Sequence, residues 1–125
     1  MRTENVTYFT EEEEEFLNLL TDIGTQKKVA TVLVFFAHTP EATSREIEHG
    51  TGLRQPEVSI AMQYLIERGW VTCSQRQHEN RGGRPHNVYH LAVPMTKVMD
   101  AIEKEKRDEA KSRIALIGKL REYTR

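Results

Sequence analysis

The length, cysteine content and hydropathy of the chain exclude several classes of protein. Its 125 residues suit one domain with a real core, and its single cysteine excludes an internal disulfide and favours a reducing compartment. The N-terminus lacks the pattern of a signal peptide, and no apolar run approaches the roughly 20 residues of a membrane span. We therefore expect a cytoplasmic protein without membrane contact.

The net charge of −1 hides an uneven distribution of charge along the chain. Residues 1–24 carry one basic residue against seven acidic residues, whereas residues 94–125 carry nine basic residues against six acidic ones. The total does not indicate a polyanionic partner. However, the acidic excess lies far in sequence from the arginine-rich segment 76–84, whose local charge would suit such a partner.

The first predicted helix follows Thr10. Thr10 and Glu13 have the spacing of a capping box, and carboxylates suit the positive end of the helix dipole. We interpret the run Glu11–Glu15 as a solvated first turn; an acidic docking patch is the alternative. Gly24 ends this helix. The apolar stripe at helical spacing comprises Phe16, Leu17, Leu20 and Ile23.

The segment from Val29 to Ala37 is apolar at nearly every position. Its length favours a central buried helix, for which Thr25 is a candidate cap and Pro40 an end signal. A buried strand is the alternative, because the segment is rich in β-branched residues. A subunit interface is a second explanation for hydrophobicity on all sides.

Two short helices joined by a glycine turn are predicted next. Thr43 and Glu46 again have capping-box spacing, and the glycines that follow permit the positive backbone angles of a tight turn. The second helix is predicted over about 55–67. It begins with Pro56, whose missing N–H costs no hydrogen bond in the first turn, and Gly69 ends it.

The second of these helices has two different faces. Its inward stripe comprises Val58, Met62, Leu65 and, in part, Ile66. The residues predicted to point elsewhere are Gln55, Glu57, Ser59, Ile60 and Gln63. Amide and hydroxyl groups match the donors and acceptors of base edges, as a helix in a DNA major groove requires. An ordinary solvated face is the alternative, although lysine and glutamate would be commoner there.

A long β-hairpin is predicted after Gly69. An apolar strand begins at Trp70, and residues 87–91 alternate as a half-buried return strand beyond a polar connection. Arginines on this hairpin are candidates for contact with phosphates or a narrow minor groove, and His86 could add a further contact. A solvated loop is the alternative. The three arginines are Arg76, Arg81 and Arg84.

From Met95 to about Tyr123 the sequence predicts one long helix. It carries two apolar clusters, separated by a charged segment, residues 103–109, without any apolar side chain. A polar span of this length does not lie against a core, so we expect the first cluster to pack on its own domain and the second to need a partner. We predict a homodimer; two short helices folded back are the alternative. The second cluster comprises Ile114, Leu116, Ile117 and Leu120.

A metal site and a catalytic site are both disfavoured. The candidate ligands are Cys73, His78, His86 and His90. Their spacing repeats neither the Cys-x-x-Cys nor the His-x-x-x-His pattern of metal sites, and they fall on the hairpin. A lone strand cysteine such as Cys73 is more often a packed residue than a redox sensor. No nucleophile–base–carboxylate pattern is visible, so we expect neither a metal, a cofactor nor an enzyme.

Three motifs, taken in their order and spacing, resemble the winged helix-turn-helix transcriptional regulators, with the MarR-like and archaeal TrmB-like families nearest. The motifs are Leu53-x-Gln55-x-x-Val58-Ser59, Leu65-x-x-x-Gly69-Trp70-Val71 and Gly83-Arg84-Pro85-x-x-x-Tyr89-x-Leu91. The resemblance as a whole covers about residues 25–93. The resemblance implies a mainly α fold with a small β-hairpin wing (α+β). The larger TrmB-like proteins add a sugar-binding domain, which this chain is too short to hold.

The resemblance also implies roles for individual residues. It places Gln55, Ser59, Ile60 and Gln63 at base edges, on the recognition helix. It places Arg76, Arg81 and Arg84 on phosphates or in the minor groove, with Ser44 and Arg45 near a phosphate. Arg54 and His86 complete the predicted DNA-binding set. One departure is Ile60, which stands where many relatives have a polar or basic residue.

The predicted function is that of a homodimeric, sequence-specific regulator that binds double-stranded DNA. Residues 1–93 would form the DNA-binding domain, and residues 94–125 the dimerisation helix. The recognition helix, about 55–67, would lie in the major groove, and the wing, 72–90, on the backbone or minor groove. The alternative is a winged-helix protein–protein adaptor in a transcription or modification assembly.

Overall fold

The structure is a computed structural model that describes residues 8–76 and 86–125, without the side chain of Arg76. The chain divides into two compact units, Met1–Val93 and Pro94–Arg125. The helices and strands of the first unit are α1 (Glu11–Asp22), α2 (Lys27–His38), β1 (Glu41–Thr43), α3 (Ser44–Thr51), α4 (Gln55–Glu67), β2 (Val71–Arg76) and β3 (His86–Leu91). The second unit consists of α5 (Met95–Glu122). The predicted α+β fold is confirmed.

Helix α2 is the centre of the first unit, and α1, α3 and α4 all pack against it. The strand alternative for this segment is therefore wrong: a helix covered on several sides is apolar all round, whatever its β-branched content. Its side chains are already buried within the chain, so its hydrophobicity does not require a subunit interface. The buried apolar residues of α2 are Val29, Ala30, Val32, Leu33, Val34 and Phe36.

The ends of α1 and α2 follow the sequence prediction in part. The backbone N–H of Glu13 donates to Thr10 Oγ1 at 3.2 Å, and the N–H of Thr10 donates to Glu13 Oε1 at 2.8 Å, so the capping box is confirmed. Gln26, rather than Thr25, precedes the first turn of α2, and it makes no side-chain capping bond. The cap predicted at Thr25 is wrong.

The turn between α3 and α4 depends on a glycine. Thr43 and Glu46 form the predicted capping box of α3. Gly52 ends α3 with φ at +78°, and a Cβ there would lie 2.6 Å from the ring of Tyr8. The buried Thr51 Oγ1 donates to the Ile47 carbonyl and accepts from the Leu53 N–H. Both hydrogen bonds of this hydroxyl are therefore made within α3 and the turn that follows it.

The sheet has three antiparallel strands in the order β1–β3–β2, one more than the hairpin predicted from sequence. In β1, Glu41 pairs with His90 of β3, and the N–H of Leu91 donates to the Pro40 carbonyl at 2.8 Å. Three residues are too few to give a period-two pattern, which is why the sequence did not reveal β1. The added strand joins the wing to the start of α3.

Helix α5 is continuous over 28 residues, so the alternative of two short helices folded back is wrong. Ion pairs run along its charged segment 103–109: Arg107 with Glu103 at 2.6 Å, and Lys104 with Asp108 at 2.9 Å. Pairs at this spacing support a helix without a core beneath it. Val98 and Ile102 are buried, whereas every side chain from residue 110 onward is exposed.

Candidate nucleic-acid interface

Helix α4 presents one exposed stripe of side chains. Its other side packs on α2 and α3, and Pro56 in its first turn fits the predicted start. The buried residues that hold it in place are Val58, Ala61, Met62 and Leu65. All four residues predicted to read bases are exposed, and Ile60 retains 65% of its accessible surface. The structure therefore brings Gln55, Ser59, Ile60 and Gln63 together on one surface.

Glu57 does not belong to that stripe, contrary to the sequence prediction. Its Oε1 accepts the backbone N–H of Arg54 at 2.9 Å, and its Oε2 lies 3.3 Å from Lys28 Nζ on α2. The Arg54 N–H, and then the Lys28 ammonium, hold the pKa of Glu57 below its usual value. The helical period cannot reveal this pair, because its members lie on separate helices far apart in sequence.

Lys28 is a cation next to α4 that was not among the predicted site residues. Its ion pair with Glu57 brings the first turn of α2 beside the first turn of α4. Arg54, the residue before α4, is exposed at the same end. Two positive side chains therefore flank the start of the exposed stripe, although α4 itself contains neither lysine nor arginine.

The start of α3 carries Ser44 and Arg45, the two residues outside the wing that were predicted to lie near a phosphate. Ser44 is half-buried and Arg45 is exposed, and they are the first two residues of this helix. The first N–H groups of a helix have no partner within the helix, and the positive end of its dipole favours anions. Ser44 and Arg45 therefore occupy a suitable place for a phosphate oxygen.

The wing is only partly described. Arg81 and Arg84, two of its predicted contact residues, lie outside the described residues. Arg76 is the last residue of β2, and its backbone is paired with that of His86, which is exposed at the start of β3. Of the four predicted wing contacts, the structure thus gives positions to Arg76 and His86, at the open end of the β2–β3 pair.

A polar chain crosses the sheet. Ser74 Oγ on β2 lies 3.1 Å from His90 Nε2 on β3, and His90 Nδ1 lies 3.6 Å from Glu41 Oε1 on β1. These contacts link all three strands. Beside them, Cys73 is paired in register with Tyr89 and is exposed, so the packed position expected for it from the sequence is wrong. Burial, and then the neighbouring Cys73, raise the pKa of the Tyr89 hydroxyl.

The end of α4 carries a cation between two aromatic rings. The guanidinium of Arg68 lies 4.2 Å from the ring centre of Tyr64 and 5.5 Å from that of Trp70. Such contacts stabilise the arrangement by electrostatic attraction to the ring faces. Trp70 is buried and immediately precedes β2, so this cluster joins α4 to the wing.

Residues 8–76 and 86–125 contain neither a cluster of metal ligands nor a helix that could span a membrane. Within these residues, no three histidine, cysteine or acidic side chains lie close enough to hold a metal ion. His78, one of the candidate ligands, lies outside them. No described helix combines the length and the apolar character that crossing a membrane requires.

The arrangement of these elements defines a winged helix-turn-helix: α2, β1, α3 and α4 in succession, followed by the β2–β3 wing. A possible transcriptional regulator from Methanosarcina mazei Go1 is similar over 82% of both chains, with 16% identity and a TM-score of 0.61. The archaeal chromatin protein TrmBL2, described with a novel mode of DNA binding, is similar with 14% identity and a TM-score of 0.66. That match covers 88% of this chain and 39% of TrmBL2.

These two likenesses confirm the winged-helix fold that the motifs predicted. A MarR family regulator from Neisseria meningitidis, at 14% identity, covers 89% of this chain and 86% of its own with a TM-score of 0.47, and the fold assignment does not depend on it. No family profile matches the chain. A search of curated proteins likewise finds no match.

Proposed function

We propose that the protein is a homodimeric transcription regulator that binds specific sequences of double-stranded DNA through α4. The observation that carries this proposal is the exposed stripe of amide, hydroxyl and isoleucine side chains on a helix whose other face is fully packed. The possible transcriptional regulator from Methanosarcina mazei Go1, which shares the fold, supports the same class of function. The role is non-enzymatic and cytoplasmic.

The stripe has the dimensions that the major groove accepts. From Gln55 to Gln63 it extends about 12 Å along the helix axis, and successive base pairs are about 3.4 Å apart. One helix therefore faces roughly three to four base pairs, typical of a recognition helix. Because the opposite face of α4 is buried against α2 and α3, the reading side chains stand on a rigid element.

Cations and a helix start around the stripe supply contacts to phosphates. Arg45 and Ser44 begin α3, and Arg54 precedes α4. The remaining contacts come from the wing, through Arg76, Arg81, Arg84 and His86. Phosphate contacts fix the register of the protein on the duplex and release counterions, so affinity falls as salt rises.

The homodimer forms through the last third of α5. Its apolar cluster, Ile114, Leu116, Ile117 and Leu120, is between 48% and 67% exposed in the single chain. A second copy carries the same apolar surface, and a two-fold axis lets equivalent residues cover each other. The same symmetry places two recognition helices about 34 Å apart, on an operator of inverted half-sites.

Selection of bound duplexes from a random DNA pool, followed by anisotropy titration of the full chain, tests the proposal. We expect an enriched inverted repeat and an affinity that falls steeply with salt. Arg45→Ala and Arg54→Ala should each lower the salt slope by about one, uniformly across sequences. Lys104→Ala, in the charged segment of α5, is the matched control. Absence of enrichment, or binding insensitive to salt, would refute the proposal.

A protein–protein adaptor is the second candidate, because two large apolar side chains stand on the outward side of α4. Ile60 is 65% exposed and Ile66 is 40% exposed. Exposed apolar groups of this kind also serve protein interfaces. Replacing Arg81 and Arg84 by alanine separates the candidates: a regulator loses DNA affinity while its dimer persists, whereas an adaptor retains partner binding and shows no such loss.

A further inference from the structure

The exposed stripe on α4 carries fewer kinds of side chain than DNA binding in general would allow. It offers two primary amides, one hydroxyl and one branched apolar group, on Gln55, Gln63, Ser59 and Ile60. The helix contains no lysine or arginine, the residues that most often read guanine by a bidentate contact. The stripe itself therefore lacks the usual means of recognising a G·C pair through its guanine; the nearest cations, Arg54 and Lys28, lie before its first residue, and Lys28 is paired with Glu57.

The carboxylate that could recognise cytosine is also already engaged within the protein. A carboxylate accepts a hydrogen bond from the N4 amino group of cytosine, and of the two acidic residues of α4, Glu57 is the one beside the stripe. Both of its oxygens are engaged, by the Arg54 N–H at 2.9 Å and by Lys28 Nζ at 3.3 Å, and only 25% of its side chain is exposed. The other acidic residue of α4, Glu67, lies about 18 Å along the axis from Gln55.

What remains on the stripe matches adenine and thymine. A glutamine amide donates to adenine N7 and accepts from its N6 amino group, and an apolar side chain contacts the thymine methyl. Ile60 and Gln63 are neighbours at i, i+3, so they can meet adjacent base pairs. Gln55 lies two turns before Gln63 on the same side of the helix.

We propose that α4 recognises a half-site made of A·T pairs, with Gln55 and Gln63 on adenines and Ile60 against a thymine methyl. This inference rests on the proposed function and specifies its substrate. Ser59 accepts either kind of pair and does not decide between them. The specificity thus comes from two amides and one isoleucine, and the Lys28–Glu57 pair keeps a cytosine-reading carboxylate out of the groove.

Base analogues in the selected operator test each contact separately. Uracil in place of thymine removes one methyl group, and we expect affinity to fall about fourfold, the equivalent of one buried methylene. 7-Deazaadenine in place of adenine removes N7, one of the two hydrogen-bond partners of a glutamine, and should weaken binding roughly threefold to tenfold. Both are measured by anisotropy with the full chain.

Variants then assign each effect to its side chain. Ile60→Ala should bind thymine and uracil duplexes equally, and Gln55→Ala or Gln63→Ala should lose the response to 7-deazaadenine at one position. The matched controls are Leu19→Ala and Asn18→Ala, exposed apolar and amide residues on α1 that should keep both responses. All of these residues are exposed, and circular dichroism verifies folding.

The outcomes separate this inference from the proposed function. An enriched inverted repeat whose half-sites have A·T pairs at their centres, with responses lost in the named variants, supports it. An enriched repeat with G·C pairs at those positions overturns it while the proposed function stands, as does a uracil effect that Ile60→Ala leaves unchanged. A pool without any enriched sequence overturns both.

Discussion

Glu57 links the stability of the first unit to pH. Its pKa is lowered by the Arg54 N–H and then by Lys28, so its carboxylate stabilises the fold above the ordinary pKa of 4.5. That contribution is lost as pH falls through the lowered native pKa, because the unfolded chain binds the proton more readily. The dependence on pH therefore lies in the acidic range, and physiological pH lies outside it.

Glu57→Gln should reduce this loss of stability on acidification. We expect the melting temperature of the variant to be lower than that of the wild type at neutral pH and to fall less between pH 7 and about pH 3. Thermal melts at several pH values measure the difference. Glu15→Gln, an exposed carboxylate on α1, is the control and should follow the wild type. Parallel curves for Glu57→Gln and wild type would contradict the assignment.

Gly52 is the residue on which the turn between α3 and α4 depends. At φ of +78°, alanine would pay about 1 to 2 kcal/mol for the left-handed conformation, and its Cβ would also meet the Tyr8 ring. Gly52→Ala should therefore destabilise the fold in urea denaturation, and Tyr8→Ala in the same chain should remove only the steric part. Gly118 lies within α5, and a Cβ added there would have no atom within 4 Å. Gly118→Ala should therefore stabilise its helix.

The sequence predicted single residues correctly where two residues at a fixed spacing form a local pair, whereas the lone cap predicted at Thr25 was wrong. Thr10 with Glu13 and Thr43 with Glu46 were found because a capping box has a fixed spacing of three residues. The ion pair of Lys28 with Glu57 was not predicted, because a contact between two helices does not change the hydrophobic period of either helix. The same reason explains why Glu57 was placed among the outward residues.

At the scale of the element, α4 should show opposite sensitivities on its two faces. Leu65 is fully buried, so Leu65→Ala should cost about 2 to 5 kcal/mol in the free energy of unfolding. Ile60→Ala, on the exposed face of the same helix, should change that free energy by less than about 0.5 kcal/mol. Urea denaturation measures both. Equal losses would mean that Ile60 is packed rather than available for reading.

A strong hydrophobic period predicted the helices, whereas a strand without such a period was missed. All four candidate reading residues of α4 are exposed, because the opposite face is buried and the helical period is clear. Two other positions differ from the prediction: Glu57, predicted to point outward, pairs with Lys28, and Ile66, predicted to lie partly inward, is 40% exposed. Strand β1 was missed, since Glu41–Thr43 is too short to alternate. For the α2 segment the length favoured the helix that is observed, but the strand stayed as an alternative because burial on several sides erases the period that separates the two.

At the scale of the whole molecule, the proposed dimer depends on the end of α5. Ile117→Glu with Leu120→Glu places charges on the apolar cluster and should give a monomer in sedimentation equilibrium, with weaker binding to the inverted repeat. Both residues are exposed, so the melting of the first unit should not change. Ala115→Glu, also exposed but on another side of the helix, is the control and should remain dimeric. A double variant that stays dimeric would contradict the assignment.

The single tryptophan gives the two units different optical signals. Trp70 lies in the first unit, buried at the junction of α4 and β2 beside Arg68, whereas α5 contains no tryptophan. Its emission should shift to longer wavelength only when that junction opens, while far-ultraviolet dichroism follows every helix including α5. Recorded on one sample without any label, transitions at different denaturant concentrations would reveal that the two units unfold independently, and a shared midpoint that they unfold together.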